Sequence, residues 1–89
     1  MPGRTPRSPH RSFTRHADVA RRLRRTPGEW QHVSTHRSRA VAHTMARRIA
    51  TGERLPAYLP AGAFEARTVP HDDGGTAVEA RFIGEVAAR

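Results

Sequence analysis

Hydrophobic positions fall into separated groups whose spacing changes along the chain. Residues 1–16 hold prolines at 2, 6 and 9 and, after Met1, Phe13 as their only large apolar side chain. So little apolar surface does not offset the entropy of ordering, and the stretch reads as a disordered basic arm. In DVARRLRR, Val19 and Leu23 stand one helical turn apart with Ala20 beside them, and Asp18 supplies an N-cap or a favourable first-turn charge. Pro27-Gly28 ends this segment, and a helix of about nine residues persists only if it docks through Val19 and Leu23. EWQHVST then alternates as a short strand, with Trp30, His32 and Ser34 on one face and Gln31, Val33 and Thr35 on the other. Trp30 favours burying the first face and Val33 the second, so the pattern leaves the choice open.

The period lengthens again from Ser38 to Thr51, where Gly52 offers a C-cap. At about 100° per residue, Val41, Met45, Ile49 and Ala42 fall within an arc of roughly 100°. Arg39, His43 and Arg47 form an opposite ridge directed at solvent, and Arg48 borders the apolar arc. Prolines 56 and 60 make ERLPAYLPAG an irregular connector whose Leu55, Tyr58 and Leu59 cover one end of the core.

The last group holds Glu-Ala-Arg twice, at 65–67 and 79–81, on either side of Asp72-Asp73-Gly74-Gly75. Two hairpin registers keep Phe64 and Ala66 on one face with Val78, Ala80 and Phe82. Pairing 66 with 78 sets Glu65 against Glu79. Pairing 66 with 80 sets Glu65 against Arg81, Arg67 against Glu79 and Phe64 against Phe82. Cross-strand pairs contribute about 0.2–1 kcal/mol and like charges cost a similar amount, so the second register is expected. It leaves Asp72-Asp73-Gly74 as a three-residue loop, with Gly74 free to turn left-handed. The direct repeat is then a charge ladder.

These elements predict an α+β fold: a two-layer domain in α-β-α-β-β order, a three-stranded sheet with the helices on one face. The 89 residues suffice for one domain, read as an arm over 1–16 and a small domain over 17–89. With no cysteine, neither disulfides nor thiolate metal sites reinforce its thin core. No run has the apolar length of a membrane span and no secretory signal pattern is present, so a cytoplasmic protein is expected.

Charge changes the picture most. All sixteen cations are arginine, for a net charge of +8. Absence of lysine beside abundant Ala, Gly and Pro fits a GC-rich genome, but not the unequal sign. Residues 1–16 carry four arginines and no acid, residues 17–54 nine against three, and residues 55–89 three against five. A polyanion would therefore meet the N-terminal half.

Gly28-Glu29-Trp30, Pro60-Ala61-Gly62-Ala63-Phe64-Glu65-Ala66 and Ala80-Arg81-Phe82-Ile83-Gly84, with the small-residue helix between them, resemble short basic proteins of actinobacteria and their phages. The resemblance covers about residues 19–84 and implies no activity, cofactor or site.

Among chemical constellations, His32 and His36 have a helical chelating spacing but lie on a strand, where four residues span about 13 Å. No metal or other cofactor is expected. His71-Asp72-Asp73 has turn composition, and neither a nucleophile elbow nor a phosphate-cradling Gly-rich loop accompanies it, so a non-enzymatic protein is expected. The candidate nucleic-acid-binding residues are Arg4, Arg7, Arg11 and Arg15 of the arm, Arg21, Arg22 and Arg25 of the first helix with Arg24 in the same run, and the Arg39, His43, Arg47 ridge. They suit backbone phosphates of DNA or RNA without base readout, since no base-reading motif is evident and aromatics are not interleaved with the cations. Trp30 is a core residue or an interface residue. The alternative function is a non-catalytic interaction module, a homodimer or a binder of an acidic protein.

Overall fold

A computed structural model of the chain describes residues 14–71 and 74–84. In order these form helix α1 (His16–Arg25), strand β1 (Gln31–His36), helix α2 (Arg39–Thr51), a 3-10 turn (Pro56–Tyr58), strand β2 (Phe64–Pro70) and strand β3 (Thr76–Phe82). The fold class is the α+β arrangement expected. β3 is the middle strand, antiparallel to β1 on one side and β2 on the other.

The hairpin adopts the register that the charge pattern selects: Phe64 pairs with Phe82, Glu65 with Arg81, Ala66 with Ala80 and Arg67 with Glu79. The His71 N–H donates to the Gly75 carbonyl at 2.9 Å, and the Gly74 N–H returns to the His71 carbonyl at 2.9 Å. Gly74 takes φ +90°, a left-handed conformation that costs glycine nothing sterically. The central loop residues Asp72 and Asp73 lie outside the described residues.

Both helices cover the sheet face that carries Phe64, Val78 and Ala80. Val19, Ala20 and Leu23 of α1 and Ala42, Ala46 and Ile49 of α2 join those residues, Val33 and Tyr58 in one core. Burying an aliphatic or aromatic side chain of this size contributes about 1.5–3 kcal/mol. Phe64 stacks edge-on against Tyr58 and tilted against Phe82, each with ring centroids 5.1 Å apart.

Several sequence expectations are corrected. α1 begins at His16 with Arg15 at the cap position, so of the two roles expected for Asp18 the first-turn charge holds and the N-cap does not. β1 does not alternate strictly, because its register shifts between His32 and Ser34. Val33 bulges into the core, Gln31 and Ser34 share the helix-covered face with Ala80 and Val78, and His32 and Thr35 take the open face. The bulge settles the ambiguous face: Trp30 belongs to the open side, where it lies against Arg67 and Arg81. Leu59 is 49 % exposed rather than a core cover.

α2 is closed as expected by Gly52 at φ +80°, and the Ser38 hydroxyl, accepting from the Val41 N–H, caps its start. Its buried line is Ala42, Ala46 and Ile49, while Val41 is 50 % exposed. Relative to the arc read from the larger side chains, the helix is turned by about 60°. Alanines at 42 and 46 let the helix approach the sheet closely, which a valine-led face would not allow.

Candidate nucleic-acid interface

The turn of α2 repositions its cations. A ridge opposite Val41 and Met45 would point straight into solvent. In the observed phase, Arg39 and His43 face sideways, toward the β2–β3 hairpin, and Arg47 lies farther round. Arg37, Arg39 and His43 line a cleft of about 520 Å³ whose far wall includes Thr68, Pro70, Gly75 and Thr76. Gly75 lets the end of the hairpin approach β1 closely: a Cβ there would stand 2.8 Å from the His36 carbonyl oxygen. No acidic residue occupies the first turn of α2, so the positive end of the helix adds to the field of these side chains. Among the described residues, Arg37, Arg39 and Arg47 pair with no carboxylate.

The α1 cations do not form one face. Arg22 turns toward β1, donating from Nε to Gln31 at 2.8 Å and from Nη2 to the His32 carbonyl at 3.0 Å. There it covers part of an open sheet edge. Arg24 turns the other way, reaching the Leu59 carbonyl at 3.3 Å and lying 5.0 Å from the Phe64 ring centroid. Arg21 and Arg15 flank Asp18, at 2.5 and 3.9 Å. The Arg21 hydrogen bond, assisted by both positive charges, holds the Asp18 carboxyl below the usual carboxylate range. Arg25 is exposed and pairs with no described carboxylate. Arg4, Arg7 and Arg11 lie outside the described residues.

The C-terminal arginines are neutralised locally. Arg67 meets Glu79 at 2.7 Å and Arg81 meets Glu65 at 2.6 Å, each through Nη2, and each also donates from Nε to the same carboxylate oxygen. Trp30 stacks on this ladder, its ring centroid 4.0 Å from the Arg67 guanidinium carbon and 4.6 Å from that of Arg81. The ring also lines a hollow of about 450 Å³ with Ala50, Gly62, Phe64, Glu65, Ala66 and Ile83.

Arg37, and the contact that Trp30 makes with Arg67 and Arg81, escaped sequence reasoning. Arg37 belongs to a loop, outside any helical period, and its one signal is its place immediately before the Ser38 cap. Trp30 is far in sequence from the arginines that hold it, and only the strand order brings them together.

The histidines on β1 make local contacts: His36 Nε2 lies 2.9 Å from the Ser34 hydroxyl and His32 Nε2 lies 3.4 Å from that of Thr35. Among the described residues, no group of three or more His, Asp or Glu side chains is placed to hold a metal ion. No helix among them is long and apolar enough to cross a membrane. No family model, curated protein or solved structure matches the chain.

Proposed function

We propose that this is a non-catalytic, nucleic-acid-binding accessory protein that acts in the cytoplasm and holds DNA or RNA mainly through arginine–phosphate contacts. One observation carries the reading. Both described arginines of β2 and β3 are matched by a carboxylate, whereas Arg25, Arg37, Arg39 and Arg47 are exposed and have none among the described residues. Exposed cations without partners are what a phosphate backbone requires, because each contact releases a condensed counterion.

The test is a titration of the full chain with a labelled oligonucleotide at two ionic strengths. With about five phosphates engaged, log K falls with log[salt] at a slope near −4 to −5 on a duplex and about −3.5 on a single strand. No measurable binding at about 50 mM salt overturns the proposal.

A second reading, a self-associating or protein-binding module, draws on the sheet face away from the helices. Trp30 and the ladder occupy that face, and Ile83 is 39 % exposed. Light scattering decides it: a monomer at every concentration removes the homodimer.

A further inference from the structure

Along the flank formed by α2 and the edge strand β2 lie both the cationic cleft and the Trp30 hollow, which Trp30 reaches from the sheet face away from the helices. α2 forms one wall of both and β2 the other: Arg39 and His43 face Thr68 and Pro70 in the cleft, while Ala50 faces Phe64 and Ala66 in the hollow. Arg39 and Ala50 are eleven residues apart on one helix, about 16 Å along its axis. The two ends differ in chemistry. One offers unpaired positive charge, and the other an indole backed by two guanidinium groups and bordered by apolar carbon and by Glu65, whose carboxylate Arg81 neutralises.

We propose that this flank binds a single-stranded polynucleotide, with phosphates held in the Arg37, Arg39, His43 cleft and an unpaired base stacked at Trp30. The inference rests on the nucleic-acid reading above and adds the strandedness of the ligand and the residue that detects it. A duplex keeps its bases stacked inside the helix and presents only phosphate and groove edges. A site that takes a phosphate at one end and a flat apolar group at the other is matched by a strand whose bases are splayed out. Every base has a π-face, so such stacking discriminates strandedness without reading sequence. A second copy of the chain, itself of net charge +8, is repelled by the cationic cleft rather than held there.

Trp30 is the only tryptophan, so its emission reports on the hollow directly. The full chain is titrated at low salt with a single-stranded oligonucleotide, the blunt duplex of the same sequence, and an abasic strand of equal length. Expected are quenching of Trp30 by the single strand, affinity about tenfold above the abasic strand, and a weaker duplex that leaves the emission unchanged. The Arg39→Gln/His43→Gln variant, checked for folding by circular dichroism, loses affinity for the single and abasic strands alike. Equal or tighter duplex binding, or equal affinity for the intact and abasic strands, overturns the single-strand inference and leaves phosphate binding standing. Binding of none of the three overturns both.

Discussion

His16 stands in the first turn of α1 with Nδ1 2.8 Å from the Tyr58 hydroxyl, its ring meeting the phenol edge-on at 5.5 Å. Tyr58 is fully buried, and burial raises its pKa far enough to keep the hydroxyl protonated. With the hydroxyl protonated, the pair forms with a neutral imidazole in either tautomer, Nδ1 accepting the Tyr58 O–H or Nδ1–H donating to its oxygen. Partial burial also lowers the His16 pKa below its ordinary value of 6.5. The folded state thus binds the imidazole proton more weakly than the unfolded state does. The pair's contribution is fully present above the unfolded value and is lost as pH falls through the folded one. Thermal midpoints at pH 7.5 and pH 5 should therefore drop further for the wild type than for His16→Gln. Asp18 does not confuse the comparison, because its own lowered pKa keeps it ionised across that range. An equal drop in the two proteins would show that the imidazole is not held neutral by the fold.

At the scale of elements, the hairpin and the ladder on it are one device. Reversing one member, as in Glu79→Arg, places like charges beside Arg67 and should destabilise the domain by about 0.5–1 kcal/mol. The exchanged pair Arg67→Glu/Glu79→Arg should recover most of that loss in urea denaturation. Failure to recover would mean that the ladder does not set the register. This register was legible in the sequence because two constraints, apolar positions on one face and charges on the other, agree on a single alignment. The elements themselves were legible for similar reasons: Gly52 closes α2, and Pro27-Gly28 closes α1. What was not legible has one physical origin. Periodicity weights large side chains, whereas packing distance is set by small ones, so Ala42 and Ala46 turned α2 away from the phase that Val41 suggested. The bulge at Val33 likewise breaks the period-2 rule on which the β1 faces were assigned. Both deviations bear on the candidate site, since the first swings Arg39 and His43 beside the hairpin and the second leaves Trp30 on the open face.

Across the whole molecule, charge of one sign is separated from charge that is internally balanced. Residues 14–54 carry ten arginines against three acids, while the described residues from 55 onward carry two of each, all paired across the hairpin. A polyanion therefore meets attraction at the start of α2 and little net field over the ladder. This separation makes a controlled comparison available. Arg39→Gln/Arg47→Gln removes two cations from the open set. If both touch phosphate, the salt slope should flatten by about 1.4 to 1.8, the lower figure for a single strand. Glu65→Arg/Arg81→Glu exchanges one ladder pair, leaves the net charge unchanged and should leave the slope where it was. Were the ladder exchange to alter the slope as much as the α2 pair does, binding would follow the overall charge of the chain, and the cleft beside α2 would hold no particular place in it.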